Sequence, residues 1–582
     1  MKKVYFITAI NILVLLTGLL VSCNDDKDTA LKGTGLKEKS WSNDKTYSIS
    51  EGQMLKFTFN AYSTWTASSD APALLTLSAK SGGAGANTLE VTATGSSQEE
   101  SSVTLRVNGY TTESIIRIQF DSSTEHKDDE VNNAVDQYLR KMYLWNDEYK
   151  ELSPDFSLAY DDFLNKTLMS MTTNTLDKRK YTDGSGTPYY ALFSFIQKKD
   201  PDLQSTRSSG TVVQKDLEYN FGFINMLPVK YRSSKNSQTY IFLAVQGVHP
   251  GSSAEQAGIK RGTEITHVNG HILTEGNAAN YYYKLCLPSS AESLTVKDYQ
   301  GNTYAINSDP IYPDPILRSQ VKQVGSHRIG YLAYSAFEAG FDQELFDVFK
   351  DFHEQSVTDL VLDLRYNGGG HVISANLMSS CIAGEACAGK TFISYRYNEE
   401  RMKGLGKQPA EQFAYNKYYN LGNKPLTAGA LNLQTVYCLV GYDTASSSEL
   451  VINSLRGIGI DVRLIGMPTR GKNVGMEGIT ITTAAAEYEL YPITFQSYNA
   501  RGEGDYENGF QPEYTIDEDS PNGNNIYEGY GDFGTTNDPL YAYAVKLITG
   551  TDYAKSTTRS IDHAITGQPL AKPTVKRMGM IK

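Results

Sequence analysis

Apolar and polar positions alternate with period two across residues 46–121. Leu55-Lys56-Phe57-Thr58-Phe59, Thr88-Leu89-Glu90-Val91-Thr92, Val103-Thr104-Leu105-Arg106-Val107 and Ile115-Ile116-Arg117-Ile118 are separated by Ser, Gly and Asn turns. Short half-buried strands in this rhythm predict a small all-β sandwich. After a charged linker the period changes. Val131, Val135, Leu139 and Met142 fall at four- and three-residue steps, and Phe156, Tyr160, Phe163 and Leu164 repeat the pattern. These steps predict a small, largely helical unit over 122–211. Strands return over 212–312, with Tyr240-Ile241-Phe242-Leu243-Ala244-Val245 and a tight turn at Asn269-Gly270. Over 313–550 buried strands such as Leu360-Val361-Leu362-Asp363-Leu364 and Val436-Tyr437-Cys438-Leu439-Val440 alternate with helical faces (Phe341, Leu345, Phe349, Phe352; Leu450 to Arg456). That alternation predicts an α/β layer with its functional residues at the C-terminal ends of the strands. The expected fold class is thus multidomain: an all-β sandwich, a small helical unit, a second β-rich unit and an α/β core. Residues 551–582 form a basic tail with no assignable role.

The N-terminus adds a targeting signal. Lys2-Lys3 precedes a mostly apolar run, Val4 to Leu20, which ends in Leu20-Val21-Ser22-Cys23. Small residues before a cysteine resemble the lipobox of bacterial lipoproteins. The resemblance implies a signal peptide over 1–22, acylation of Cys23 and a membrane anchor. A transmembrane anchor is the alternative, but the run is short and interrupted by Thr8, Asn11 and Thr17. Asn24-Asp25-Asp26-Lys27-Asp28 resembles the acidic surface-export signal of Bacteroidetes lipoproteins, or is simply the start of a solvated tether over 23–45. The expected location is the cell envelope, on an outer-membrane lipoprotein facing the periplasm or the surface.

Composition narrows the functional classes. At 582 residues the chain needs several cores. A net charge of −12, without long runs of one sign, argues against nucleic-acid binding. Cys286, Cys381, Cys387 and Cys438 match no zinc spacing, and the eight histidines form no HExxH. No metal and no cofactor are inferred. Cys381 and Cys387 either pair in an oxidising envelope or are buried thiols.

Three further segments carry chemistry. Thr444-Ala445-Ser446-Ser447-Ser448-Glu449 places a serine cluster at the start of a helix. Arg470-Gly471-Lys472 puts a lysine in a glycine turn. Asp363-Leu364-Arg365-Tyr366-Asn367-Gly368-Gly369-Gly370 is a glycine-rich turn after a buried strand. Together they supply a nucleophile, a base and an anion-binding backbone.

This set resembles the C-terminal processing (tail-specific) protease family of serine peptidases, over roughly residues 130–550, including the closing Asn508-Gly509-Phe510-Gln511-Pro512-Glu513. The resemblance implies Ser446 as nucleophile and Lys472 as general base. It implies an oxyanion hole from the Ser447 N–H and the N–H of Gly368 or Gly369, with Asp363 and Arg365 holding the turn. A lysine with an ordinary pKa near ~10.4 is almost wholly charged at pH 7, so Lys472 must be buried to serve. Many members carry Gln four residues after the lysine, where Met476 stands here. Three arrangements follow: Glu477 orients the base instead, a bare Ser/Lys dyad operates, or the chain is an inactive lipoprotein that binds peptides or glycans. His371 is read as a wall residue.

Over 212–312 the chain resembles a PDZ domain, on Tyr219-Asn220-Phe221-Gly222-Phe223-Ile224 and on Pro250 to Gly262. This implies that Phe221, Gly222 and Phe223 offer backbone N–H groups to a peptide carboxylate, and that the next strand offers an edge to an extended peptide. A rigid spacer is the other reading. Trp65, with Leu74-Leu75-Thr76-Leu77 and Ser81-Gly82-Gly83, gives residues 46–121 a resemblance to BACON-type immunoglobulin-like domains. Trp65 itself is read as a core residue rather than a sugar platform. A glycan or protein partner for this domain follows only from the resemblance. The whole reads as an envelope serine endopeptidase acting on proteins or peptides.

Overall fold

The structure is a computed structural model. It describes residues 32–49, 53–95, 100–120, 128–182, 188–201, 203, 206–207, 214–232, 238–551, 568–570 and 580–582. The expected signal peptide over 1–22 and Cys23 lie outside the described residues. The described chain divides into two compact units, with the boundary between Lys127 and Asp128.

The first unit is a two-sheet β-sandwich. One sheet is built on Met54–Ala61 and Gly85–Ala93, the other on Ser101–Val107, Ser114–Phe120 and Trp65–Ser69. Alternation turns Phe57, Phe59, Leu89, Val91, Val103, Leu105, Ile116 and Ile118 inward, where all are buried. Trp65 is among them, edge-on to Phe59, which leaves it no face for a sugar. The sandwich starts earlier than residue 46. Leu36–Lys37 pairs with Asn60 and Ala61, and buried Trp41 packs edge-on against Phe57 and Phe59. The expected tether is therefore shorter, because an indole this size has more to gain in the core than in solvent.

The second unit holds everything else. A six-stranded sheet runs Ile316–Val324, His327–Tyr334, Asp359–Asp363, Thr435–Val440, Asp461–Gly466, Tyr514–Thr515. All neighbours are parallel except the first pair. Both faces are covered, so its strands read as continuous apolar runs. Leu332, Leu360, Leu362, Val436 and Cys438 face the helices Asp342–Glu354, Val372–Ala383 and Ser447–Gly457. Tyr331, Val361, Tyr437 and Leu439 face Pro539–Thr549. Cys381, Cys387 and Cys438 are free, buried thiols.

A second sheet of six strands runs Gly370–His371, Met580–Ile581, Val474–Met476, Ile493–Tyr498, Thr391–Arg396, Ala410–Gln412. The N-terminal part of this unit is less helical than its periodicity predicts. Helices at Asp129–Met142, Asn146–Lys150 and Tyr160–Ser170 are followed by short strands from Lys178 onward. Val131, Val135, Leu139, Phe163 and Leu168 share a core with Val474, Met476 and Ile493. Met476 is thus a packing residue between helix and sheet, which accounts for an apolar side chain at that position.

Residues 214–232 and 238–311 form a β-rich module, the segment whose sequence resembles a PDZ domain. Antiparallel strands Phe223–Arg232 and Thr239–Val248 pack with the helix Ala278–Cys286 around Phe221, Phe223, Leu243, Ile265 and Tyr282.

Candidate active site

The site lies where three strands end. Asp359–Asp363 leads into the glycine turn, Thr435–Val440 into the serine loop, and Asp461–Gly466 into the lysine loop. The loops are hydrogen-bonded to one another. Ala445 N–H and Ser448 Oγ donate to the Asn367 carbonyl at 3.1 and 3.0 Å. Thr444 Oγ1 donates to the Leu364 carbonyl at 2.8 Å, and Arg470 N–H donates to the Thr444 carbonyl at 2.9 Å.

Ser446 caps the helix Ser447–Gly457 with φ 60° and ψ −112°. Few L-residues adopt that conformation, which typically costs about 1–3 kcal/mol. Its hydroxyl is buried and has no hydrogen-bond partner among the described residues. A buried, unpaired hydroxyl on a strained turn is a group held for something other than stability.

Lys472 is fully buried. Burial lowers its pKa to about 7, against the opposing pull of Asp177 and Glu449. Its ammonium nitrogen lies 4.5 Å from the centre of the Phe193 ring. The lysine therefore has the low-dielectric surroundings that base catalysis requires.

Glu449 joins nucleophile to base. One carboxylate oxygen accepts the N–H of Ser446 (2.9 Å) and of Lys472 (2.8 Å). The other accepts Thr469 Oγ1 (2.6 Å) and the Gly471 N–H (2.7 Å). Four donors on one buried carboxylate fix the two loops in register. Burial pushes the Glu449 pKa up, and these bonds oppose it. Asp177 is the second buried carboxylate near the lysine. It accepts Tyr143 Oη (2.6 Å), Ser194 Oγ (2.6 Å) and the amides of Phe193 and Ser194 (2.8 Å each). Sequence reading assigned no role to either residue. Glu449 stood inside the serine motif, whereas nothing local marks Asp177.

The Glu477 expectation is corrected. Its carboxylate binds Arg401 at 2.6 and 3.2 Å, just past the end of the strand that carries buried Met476. Asp177 and Glu449 are the carboxylates that act electrostatically on Lys472.

In the glycine turn, the Gly369 N–H donates to Asn367 Oδ1 at 2.9 Å, so it is not available to an oxyanion. The amides of Gly368 and of Ser447, the latter at the first position of its helix, have no acceptor among the described residues. Gly370 has φ +130°, and a Cβ there would lie 2.3 Å from the Phe337 carbonyl oxygen, so the turn requires glycine. Arg365, fully buried, holds the turn from behind through Asp363 (2.6 Å), Glu518 (2.7 Å) and Asp538 (2.5 Å). Arg261 of the β-rich module reaches the same Glu518 at 2.9 Å. His371 sits on the strand beyond the turn with no hydrogen bond to a carboxylate among the described residues. Burial lowers its pKa.

In the β-rich module, the Gly222 N–H is taken by Asn220 Oδ1 (2.6 Å) and its carbonyl by the His249 N–H (2.8 Å). Phe221 and Phe223 are core residues. The expectation that Gly222 presents its amide to a peptide carboxylate is therefore corrected.

A strained buried serine, a lysine whose pKa burial lowers to about 7 and a pair of open amides are the parts of a serine hydrolase with a lysine base. Comparison with known proteins agrees. Residues 328–516, which contain all three segments, match the model of peptidase family S41. A carboxyl-terminal-processing protease of Picosynechococcus is 26% identical over 253 residues, 41% of this chain and 54% of that one. The carboxy-terminal processing protease CtpB of Bacillus subtilis is 27% identical over 128 residues, 21% of this chain and 26% of that one. The chain thus spans about half the length, or less, of these curated relatives. A crystal structure assigned to the S41 proteases, from Bacteroides fragilis, superposes with TM-score 0.52 at 25% identity, covering 72% of this chain and 97% of that one. Residues 328–516 are thus similar to the peptidases of family S41, and the chain to the C-terminal processing proteases.

Proposed function

We propose that the chain is an endopeptidase that cleaves unfolded proteins or peptides through a Ser446/Lys472 acyl-enzyme. Neutral Lys472 takes the Ser446 hydroxyl proton as Oγ attacks a peptide carbonyl. The amides of Gly368 and Ser447 receive the developing oxyanion, with the positive end of the Ser447–Gly457 helix behind it. Lys472 then protonates the departing amine, and the acyl ester forms. Water, deprotonated by the same lysine, releases the product. The observation that carries this reading is the Glu449 clamp, which fixes a strained, unpaired serine beside a lysine whose pKa burial has lowered to about 7. The test compares the chain with Ser446→Ala and Lys472→Ala on an unfolded protein mixture, with new termini read by mass spectrometry. Cleavage by the parent alone supports the reading. Inactivity of a folded parent on every substrate refutes it.

The leader and Cys23 support placing the enzyme on the cell envelope as a lipoprotein. Incorporation of labelled palmitate, lost in Cys23→Ala, tests this. The PDZ-like strand edge is the element suited to capturing extended peptide.

A further inference from the structure

Sequence reading left residues 551–582 without a role, yet their described parts occupy two functional edges. The first is on the β-rich module. Gln568–Pro569 pairs antiparallel with the strand Phe223–Arg232, opposite Lys230 and Val229. The Leu570 N–H donates to the Pro228 carbonyl at 2.9 Å, and Leu570 packs on the module's core. Rising residue number along the segment runs toward the Phe221-Gly222-Phe223 loop, antiparallel to the strand, as an added peptide strand would.

The second edge is the active site. Met580–Ile581 lies parallel between Gly370–His371 and Val474–Met476, with Gly370 opposite Met580 and both His371 and Met476 opposite Ile581. The Lys582 N–H donates to the Met476 carbonyl at 3.0 Å. In the sheet this strand is what joins its two neighbours. One neighbour begins two residues after Gly368, the other two residues after Lys472. The slot it fills is therefore bounded by the oxyanion turn on one side and the base on the other. Any extended peptide lying there gains backbone pairing on both sides.

Lys582 shows what the far end of the slot selects. Its ammonium nitrogen is 4.0 Å from the Tyr395 ring centre, bonds Tyr397 Oη and lies 4.0 Å from the Glu477 carboxylate. Two tyrosine rings and a carboxylate shared with Arg401, which pairs with Glu477 at 2.6 Å and stacks on Tyr397 at 3.7 Å, form a receptor for a basic side chain. Glu477, paired with Arg401, thus faces the Lys582 ammonium rather than the lysine base.

We propose that Met580–Lys582, held in the same chain as the Gln568–Leu570 anchor, are a tethered pseudo-substrate: the Met580–Ile581 strand fills the groove of the active site, and Lys582 fills a subsite that selects a basic residue following an apolar one. Substrate must displace this segment. Both anchoring strands are two residues long, too short to hold without their partners, so the segment exchanges. A tether gives it an effective concentration in the millimolar range, enough to compete with dilute substrate. The inference rests on the peptidase reading for its consequence, but its binding step does not.

The test uses a fluorescent peptide of residues 576–582 and chains carrying Ser446→Ala. The chain truncated after Leu570 should bind the peptide at least ~10-fold more tightly than the intact chain does. The Lys582→Glu peptide should bind more weakly. With Ser446 present, truncation should raise kcat/KM by roughly tenfold, and the added peptide should reverse the gain. Where truncation unfolds the chain, full-length Lys582→Glu, which retains every backbone bond, should raise peptide affinity in the same direction. Peptide that fails to bind the folded truncated chain overturns the proposal, as does an unchanged kcat/KM in an active enzyme. Peptide binding to a chain that cleaves nothing overturns the peptidase reading alone.

Discussion

Asp177→Asn should move the acid limb of the pH–rate profile downward. Catalysis needs neutral Lys472, so kcat/KM rises with pH through the lysine pKa, about 7 in the intact site. Burial holds that value down, and Asp177 and Glu449 raise it. Removing the Asp177 charge takes away the larger of the two opposing effects, so the pKa falls further. A nearby opposite charge is usually worth about 1–3 units. The low end applies here, because Asp177 is itself pushed toward its neutral form by burial. With the limb near ~6, the neutral fraction at pH 6 rises from roughly a tenth to roughly a half, about fivefold. The assay is kcat/KM on a fluorogenic unfolded protein from pH 5 to 9, each variant normalised to its own plateau. Normalisation matters because Asp177 also anchors Tyr143 and Ser194, so the plateau will drop independently. A limb that stays in place or moves up would refute the electrostatic assignment.

Lys472→Met should abolish cleavage and raise thermal stability. The folded pKa of this lysine lies below its unfolded value of 10.5, so the unfolded chain binds the extra proton and folding loses stability as pH falls toward 7. The gain, up to roughly 4 kcal/mol near neutrality, should vanish above about pH 10.5 when unfolding is followed against pH. Glu449→Gln places an amide NH2 against buried donors. It should lower stability by about 1–3 kcal/mol in denaturant titration and reduce kcat more than it raises KM.

Which parts of this architecture could be read in advance follows from the range of the interactions involved. The glycine turn and the serine cap are local devices. Gly370 is required by its own φ and the carbonyl of Phe337, and Ser446 by the helix it starts, so short motifs carried them. The parallel strands were legible because burial on both faces makes them uniformly apolar. Asp177 was not, since it reaches Lys472 only through the fold of an N-terminal segment nearly 300 residues away in sequence. Met476 and Glu477 misled for a simpler reason. Met476 ends its strand inside the helical core, and Glu477, the next residue past the strand, meets Arg401 and Lys582.

The tail was hidden most completely. Two-residue strands have no periodicity, and a basic segment poor in apolar residues reads as a solvated end. What makes Met580–Ile581 a strand is the pair of unfilled edges that the glycine turn and the lysine loop leave between them. Those edges exist because the chemistry requires two separate loops with room for a backbone between them. On the proposed reading the groove is a sheet lacking one strand, and a segment of the same chain that pairs with both edges competes with substrate. In this chain Lys582 lies against Glu477 and the two tyrosine rings, so the same contacts that seat the tail describe the substrate side chain that could replace it.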